Sequence, residues 1–161
     1  MKQLNSRIVI KSHISQFYKL EQFVDNISDN YNIIHSFFSN ITAVLIELVE
    51  NAIVHGNKNE KEKDIIIEFE KYEQYIIFSI SDQGNGFNYE IEMEKVIQID
   101  EKMGTGLFLA KILSDNIEFE NNGSTVRVMF DLSSANEQLN QVRWKVMSDV
   151  QVEQKKFHHE L

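Results

Sequence analysis

The sequence predicts an α+β fold, a two-layer α/β sandwich with helices on one face of a mostly antiparallel sheet. Three observations lead there. Apolar residues recur at helical intervals in two long stretches before residue 57 and in a shorter one after residue 104. β-branched and aromatic residues gather in paired short runs, each pair joined by a tight turn, the pattern of antiparallel hairpins. Proline is absent, so six glycines carry nearly all the punctuation, and they cluster at four points.

Taken in order, residues 6–12, "SRIVIKS", alternate enough to form an opening strand. Over residues 14–30, Ile14, Phe17, Leu20, Phe23, Val24 and Ile27 are spaced as one face of an amphipathic helix. Residues 37–56, "FFSNITAVLIELVENAIVHG", predict a second, more buried helix, capped by Ser39 or Asn40 and stopped at Gly56. Residues 63–86 read as two strands with a turn near Glu73–Gln74. Residues 88–103 show no firm period and read as a mobile connection between glycine pairs. "GTGLFLAKILSDN", residues 104–116, is a third helix, and residues 117–132 form a second hairpin turning at Asn121–Asn122–Gly123. From Ser133 the chain is polar with helical character. The expected division is a domain over 1–132 and a C-terminal helical extension over 133–161.

Composition narrows the function classes. A chain of 161 residues with 42% hydrophobic and 25% charged residues suits one compact globular domain. A net charge of −9, with no basic run longer than Lys155–Lys156, argues against direct nucleic-acid binding. The absence of cysteine excludes disulfides, thiolate metal sites and cysteine nucleophiles. The N-terminus has no sustained apolar core of a signal peptide, and no later stretch reads as an unbroken membrane span. The expectation is a cytoplasmic protein that does not use a membrane.

The polar residues within the apolar helix carry the chemistry. Glu47, Asn51 and His55 recur every four residues in "ELVENAIVHGN", so they form one stripe on an α-helix. Burying an amide-like group without a partner costs roughly 2–7 kcal/mol, so the stripe faces water or a ligand. "SDQGNGF" puts Asp82 at a strand end with Gly84 and Gly86 directly after it. Paired glycines let a backbone approach a planar ligand, and a strand-end carboxylate can accept from an exocyclic amine; an Asx-type glycine turn is the plainer alternative. "MGTGLFLAK" opens a helix on Gly104, Thr105 and Gly106, where free amides suit phosphate. It is neither a Walker A loop nor a dinucleotide-binding fingerprint, since no G-K-[ST] follows and no strand leads into it.

In order, these segments resemble the Bergerat-fold ATP-binding superfamily of gyrase, histidine kinase and MutL ATPase domains. The E-x-x-x-N-A box reads Glu47 to Ala52, the D-x-G-x-G box Asp82 to Gly86, and the G-x-G-L box Gly104 to Leu107. A late hydroxyl pair, Ser124–Thr125, follows Gly123. The "VHGN" ending, the small size and the short connection between glycine boxes resemble the branch of serine-kinase anti-sigma factors. His13 and His35 lack a phosphoacceptor context, and the length leaves no room for the transducer domain of gyrase or MutL relatives. Residues beyond about 132 depart from the branch's pattern.

The resemblance implies ATP and Mg²⁺. It makes Glu47 a general base and Asn51 a ligand to Mg²⁺. Asp82 is implied to read the adenine amine, with Gly84 and Gly86 beside it and Ser124 or Thr125 in support. The amides of Gly104, Thr105, Gly106 and Leu107 are implied to hold phosphates. The implied partners are a sigma factor and an anti-sigma-factor antagonist phosphorylated on serine or threonine, with room for a homodimer. The alternative is a nucleotide-dependent binding module of another regulatory switch, with little or no kinase activity. Glu50 reads as a solvated or partner-facing charge, His55 as a helix-end cap, and His158–His159 as a solvated tail.

Overall fold

The computed structural model describes residues 5–33, 35–86 and 105–133, together with 139, 141–145 and 148. Strand β1 (Ser6–Lys11) leads through a short 3-10 turn into helix α1 (Phe17–Tyr31), which ends on Asn32 in the left-handed region. Helix α2 (His35–Asn51) continues into a π-helical turn (Ala52–Gly56). Strands β2 (Asp64–Lys71) and β3 (Tyr75–Ser81) form the first hairpin. Helix α3 (Thr105–Leu113) and strands β4 (Asn116–Glu120) and β5 (Thr125–Asp131) complete the described part. The expected connection over 88–103 lies outside the described residues, as does most of the chain after 133.

The five strands form one sheet in the order β1-β2-β3-β5-β4, and every pairing is antiparallel. Strand β5 inserts between β3 and β4, so Ser81 at the end of β3 faces Thr125 at the start of β5. That register brings the D-x-G-x-G loop beside the Ser124–Thr125 pair, although more than forty residues of sequence separate them.

Alternation decides which face is buried. Ile65, Ile67 and Phe69 of β2, Ile76, Phe78 and Ile80 of β3, and Val126, Val128 and Phe130 of β5 all enter one core. From the helices come Leu20, Phe23, Val24 and Ile27 of α1, then Phe37, Ile41, Val44, Leu45, Leu48 and Val49 of α2, and Leu109, Ala110 and Leu113 of α3. An aromatic line runs through it. Tyr31 lies 5.0 Å from Phe69, Phe69 lies 5.2 Å from Phe78, and Phe78 meets Phe130 edge-on at 6.4 Å. On the opposite side of β2, Glu70 is fully buried, where it accepts from the Tyr72 hydroxyl at 2.7 Å and pairs with Arg127 at 3.5 Å.

Three sequence expectations need correction. Helix α2 begins at His35, so Ser39 and Asn40 lie inside it instead of capping it, and Asn40 is fully buried. The helix also does not run in one period to Gly56. Its last turn widens into a π-turn, with the Asn57 amide donating to the Ala52 carbonyl at 2.7 Å. Finally, Phe37–Gly56 is long and apolar enough to cross a membrane by length and composition. Its apolar side is spent on the core just described.

Because Phe78 sits between Phe69 and Phe130 with no exposure, Phe78→Ala should destabilise the protein by about 3–5 kcal/mol. Urea unfolding followed by far-UV circular dichroism would measure this. A loss well under 1 kcal/mol would mean that the aromatic line is not central to the core.

Candidate functional site

One cleft opens where the end of α2 meets the ends of β3 and β5, with about 330 Å³ of open space. Asn51, Ala52 and Gly56 line it from the helix, Ile80 and Asp82 from β3, and Leu107 from α3. Gly123, Ser124 and Val126 close the far side, with Leu48 and Phe119 completing the apolar wall. The arrangement is an apolar slot with a carboxylate, an amide and a hydroxyl around it, which suits a flat, partly polar ligand such as a purine.

The widened turn decides which polar residues of the helix reach the cleft. Glu47 and Asn51 are one α-turn apart and share a face. Past Asn51 the i→i+5 turn breaks the four-residue register, so His55 leaves the stripe and is exposed. Asn51 is part-buried and caps nothing, since its side chain makes no hydrogen bond to the turn that follows. Glu47 is part-buried and is not among the described residues that line the cleft. Burial pushes its carboxyl above the usual carboxylate range, and the nearby negative charge of exposed Glu50 adds to the effect.

Asp82 is held from three sides. Its amide donates to the Ser124 carbonyl at 3.0 Å, and its Oδ1 accepts from the Gly84 amide at 2.8 Å, the Asx-type turn foreseen as the plainer reading. Burial raises its carboxyl pKa, opposed by the Gly84 amide and by the charges of Lys63 and Lys58. The third side is Gly56. A Cβ on Gly56 would overlap the Asp82 carboxylate, and a Cβ on Gly84 would overlap the Gly56 carbonyl. Gly86, at φ +77°, lies against the Asn122 carbonyl in the same way. The close approaches at these glycines are thus made by the protein's own backbone.

The remaining sequence-predicted residues divide. Leu107 lines the cleft from the first turn of α3, which opens on Thr105 and Gly106; Gly104 lies outside the described residues. Ser124 lines the cleft and donates to the Asn121 carbonyl at 2.9 Å. Thr125 is turned to other work: its hydroxyl is 2.9 Å from that of Ser81 and accepts from Asn121 at 3.1 Å. Sequence reasoning missed the apolar walls, Leu48, Ala52, Ile80, Phe119 and Val126. Leu48 and Ala52 could have been found, since they follow Glu47 and Asn51 at the same four-residue spacing.

Among the described residues no group of three His, Cys, Asp or Glu could cage a metal. The donor set near the cleft, one amide oxygen with a carboxylate a turn away, fits a hard cation that takes most of its ligands from phosphates and water.

A helix-and-sheet cleft of this composition, with those motifs around it, defines a nucleotide-binding ATPase domain. The profile of the histidine kinase-like ATPase domain matches residues 11–130, and the chain belongs to that family. It is 29% identical over 80 residues to a serine-protein kinase, RsbW, of Listeria innocua, across 45% of this chain. The chain spans about half the length of that relative, 51%. Its fold is similar to the crystal structure of the RsbU and RsbW domains of Rv1364c from Mycobacterium tuberculosis. That match has a TM-score of 0.55 at 16% identity and covers 78% of this chain and 30% of that one.

Two outcomes follow from this geometry. Gly84→Ala must drive its new methyl into the Gly56 carbonyl, so it should cost about 1–3 kcal/mol in urea unfolding. Unchanged stability would show that the two backbones are free to part. The second outcome concerns pH. With its pKa raised in the folded state, Glu47 binds more protons folded than unfolded, so its contribution to stability falls as pH rises through that window. Glu47→Gln should therefore raise the melting temperature of the ligand-free protein at neutral pH. The gain should vanish below roughly pH 3, where the carboxyl is protonated in both states. A variant no more stable than wild type at pH 7 would refute the burial effect.

Proposed function

We propose that the chain is an ATP-binding regulatory protein that acts as an anti-sigma factor and as a serine/threonine protein kinase on an anti-sigma-factor antagonist. The observation that carries the reading is the meeting of Asn51, Asp82 and Ser124 on one cleft, with Glu47 a turn from Asn51 on the same helix. Family membership supports ATP as the ligand, and the Listeria relative supports the kinase and its branch.

In this reading the apolar walls take the adenine and the Asp82 carboxylate accepts from its amino group. Ser124 borders the same space, Thr125 steadies the strand ends behind it, and Gly84 and Gly86 keep the loop seated. The first-turn amides of α3, those of Thr105, Gly106 and Leu107, hold phosphate oxygens together with the amide of Gly104, the residue before them in sequence. Asn51 would hold Mg²⁺ through its amide oxygen, and Mg²⁺ supplies charge neutralisation on the phosphates when bound. Glu47 accepts the proton of the acceptor hydroxyl as that oxygen bonds to the γ-phosphorus and ADP leaves. A base with a raised pKa suits that role so long as it is ionised at the working pH. The division into a 1–132 domain and a 133–161 extension belongs to the same proposal.

One observation favours a second reading. Glu47 is not among the described residues that line the cleft, as would suit a nucleotide-dependent binding module with little kinase activity. The two readings part on variants. Asp82→Asn replaces an acceptor-only group and should sharply weaken both ATP and ADP binding in calorimetry while the fold survives. Glu47→Gln should bind ATP as wild type does yet lose phosphoryl transfer to the antagonist. Asn51→Ala should weaken mainly the Mg²⁺-dependent part of ATP affinity. Transfer at the wild-type rate by Glu47→Gln would remove the general-base role. Unaltered nucleotide affinity in Asp82→Asn would remove the site.

A further inference from the structure

The last residue of the "VHGN" ending lies behind the cleft wall. Asn57 is wholly buried, 0% exposed, immediately after the π-turn. Its side chain uses both ends: Oδ1 accepts from the Gln83 amide at 2.8 Å, and Nδ2 donates to the Asp64 carbonyl at 3.1 Å. Gln83 answers from the other side, its Oε1 accepting from the Asp64 amide at 2.6 Å. Two carboxamides therefore bracket the backbone of one residue at the start of β2. The pairing continues Gly56 against Asp82 and Gly84, so residues 56–57 and 82–84 are fastened at consecutive positions.

We infer that Asn57 and Gln83 form a clamp that positions the Asp82 carboxylate against the end of α2, and so sets nucleotide affinity without touching the nucleotide. The inference rests on the nucleotide reading of the cleft. Its physical basis is that Asp82 sits in a short glycine-containing loop, where among the described residues its own amide and carboxylate bonds fix it to Ser124, just before β5, and to Gly84. Neither of those bonds ties it to the helix that carries Asn51. The hydrogen bond from the Gln83 amide to buried Asn57 supplies that tie. Asn57 is thus a positioning residue, with Gln83 as its exposed counterpart.

A double-mutant cycle on ATP affinity, read by calorimetry on the full chain, tests this. Asn57→Ala should weaken ATP binding roughly tenfold in the wild-type background. In the Asp82→Asn background the same change should have almost no further effect, because there is no longer a carboxylate to position. A merely structural role would weaken binding equally in both backgrounds and would overturn the inference. So would an Asn57→Ala protein that binds ATP as wild type does. If Asp82→Asn alone leaves affinity intact, the nucleotide reading fails and the clamp fails with it, an outcome separate from the others. Should Asn57→Ala not fold, Gln83→Ala runs the cycle on the other half of the clamp. It keeps the Gln83 amide on Asn57 and removes the Oε1 bond to the Asp64 amide, so a smaller but still non-additive loss is expected. An equal loss in both backgrounds, or no loss, would overturn the inference.

Discussion

The site depends on one contact, the meeting of the Gly56 backbone with Asp82 and Gly84. There the end of a helix and the end of a strand come closer than any residue with a side chain would permit. That distance sets the width of the cleft, because α2 forms one wall and the loop after β3 forms the other. The core explains why the two ends are brought there. Leu45, Leu48 and Val49 of α2 are buried in the same cluster as Ile76, Phe78 and Ile80 of β3, so helix and strand are pressed together along their lengths. The glycines then decide how close the last residues can come, and the turn at Asn121–Gly123 repeats the device at Gly86.

The same closeness has an electrostatic consequence. Glu47 and Asp82 are both part-buried carboxylates whose ionised forms are disfavoured by burial. In a chain of net charge −9 such groups oppose folding at neutral pH. A site that lowers stability while nothing is bound is the usual mark of function over folding. Lys58 and Lys63 partly offset the effect at Asp82, and among the described residues Glu50 adds to it at Glu47. Burial thus raises the proton affinity of both carboxyls, with a partial offset at Asp82.

Most of the fold was legible because its elements announce themselves locally. The alternating runs over 64–71, 75–81 and 125–131 fell where the strands do, since one buried face imposes a two-residue period. The motif order also pointed to a single cleft for Asn51, Asp82, Leu107 and Ser124. What escaped was non-local or off-period. The π-turn was invisible to a reading that assumes 3.6 residues per turn throughout, which is why His55 was placed on the stripe with Glu47 and Asn51. The start of α2 was set too late because Ser39 and Asn40 look like caps. Asn57 carried no signal beyond closing the "VHGN" ending. Its partners, Asp64 and Gln83, are distant in sequence, and only the folded sheet brings them to it. Ser124 and Thr125 could not be told apart from neighbouring hydroxyls alone; the pairing of Thr125 with Ser81 separates them.

The central claim is that one cleft between α2, β3, α3 and β5 takes an adenine nucleotide. The most direct measurement is a titration of isotope-labelled protein with Mg-ATP, followed through backbone amide chemical shifts. The largest shifts should fall at Asn51–Gly56, Asp82–Gly84, Leu107 and Gly123–Ser124, with β1 and α1 little changed. Shifts centred on another surface, or none at millimolar nucleotide, would contradict the account.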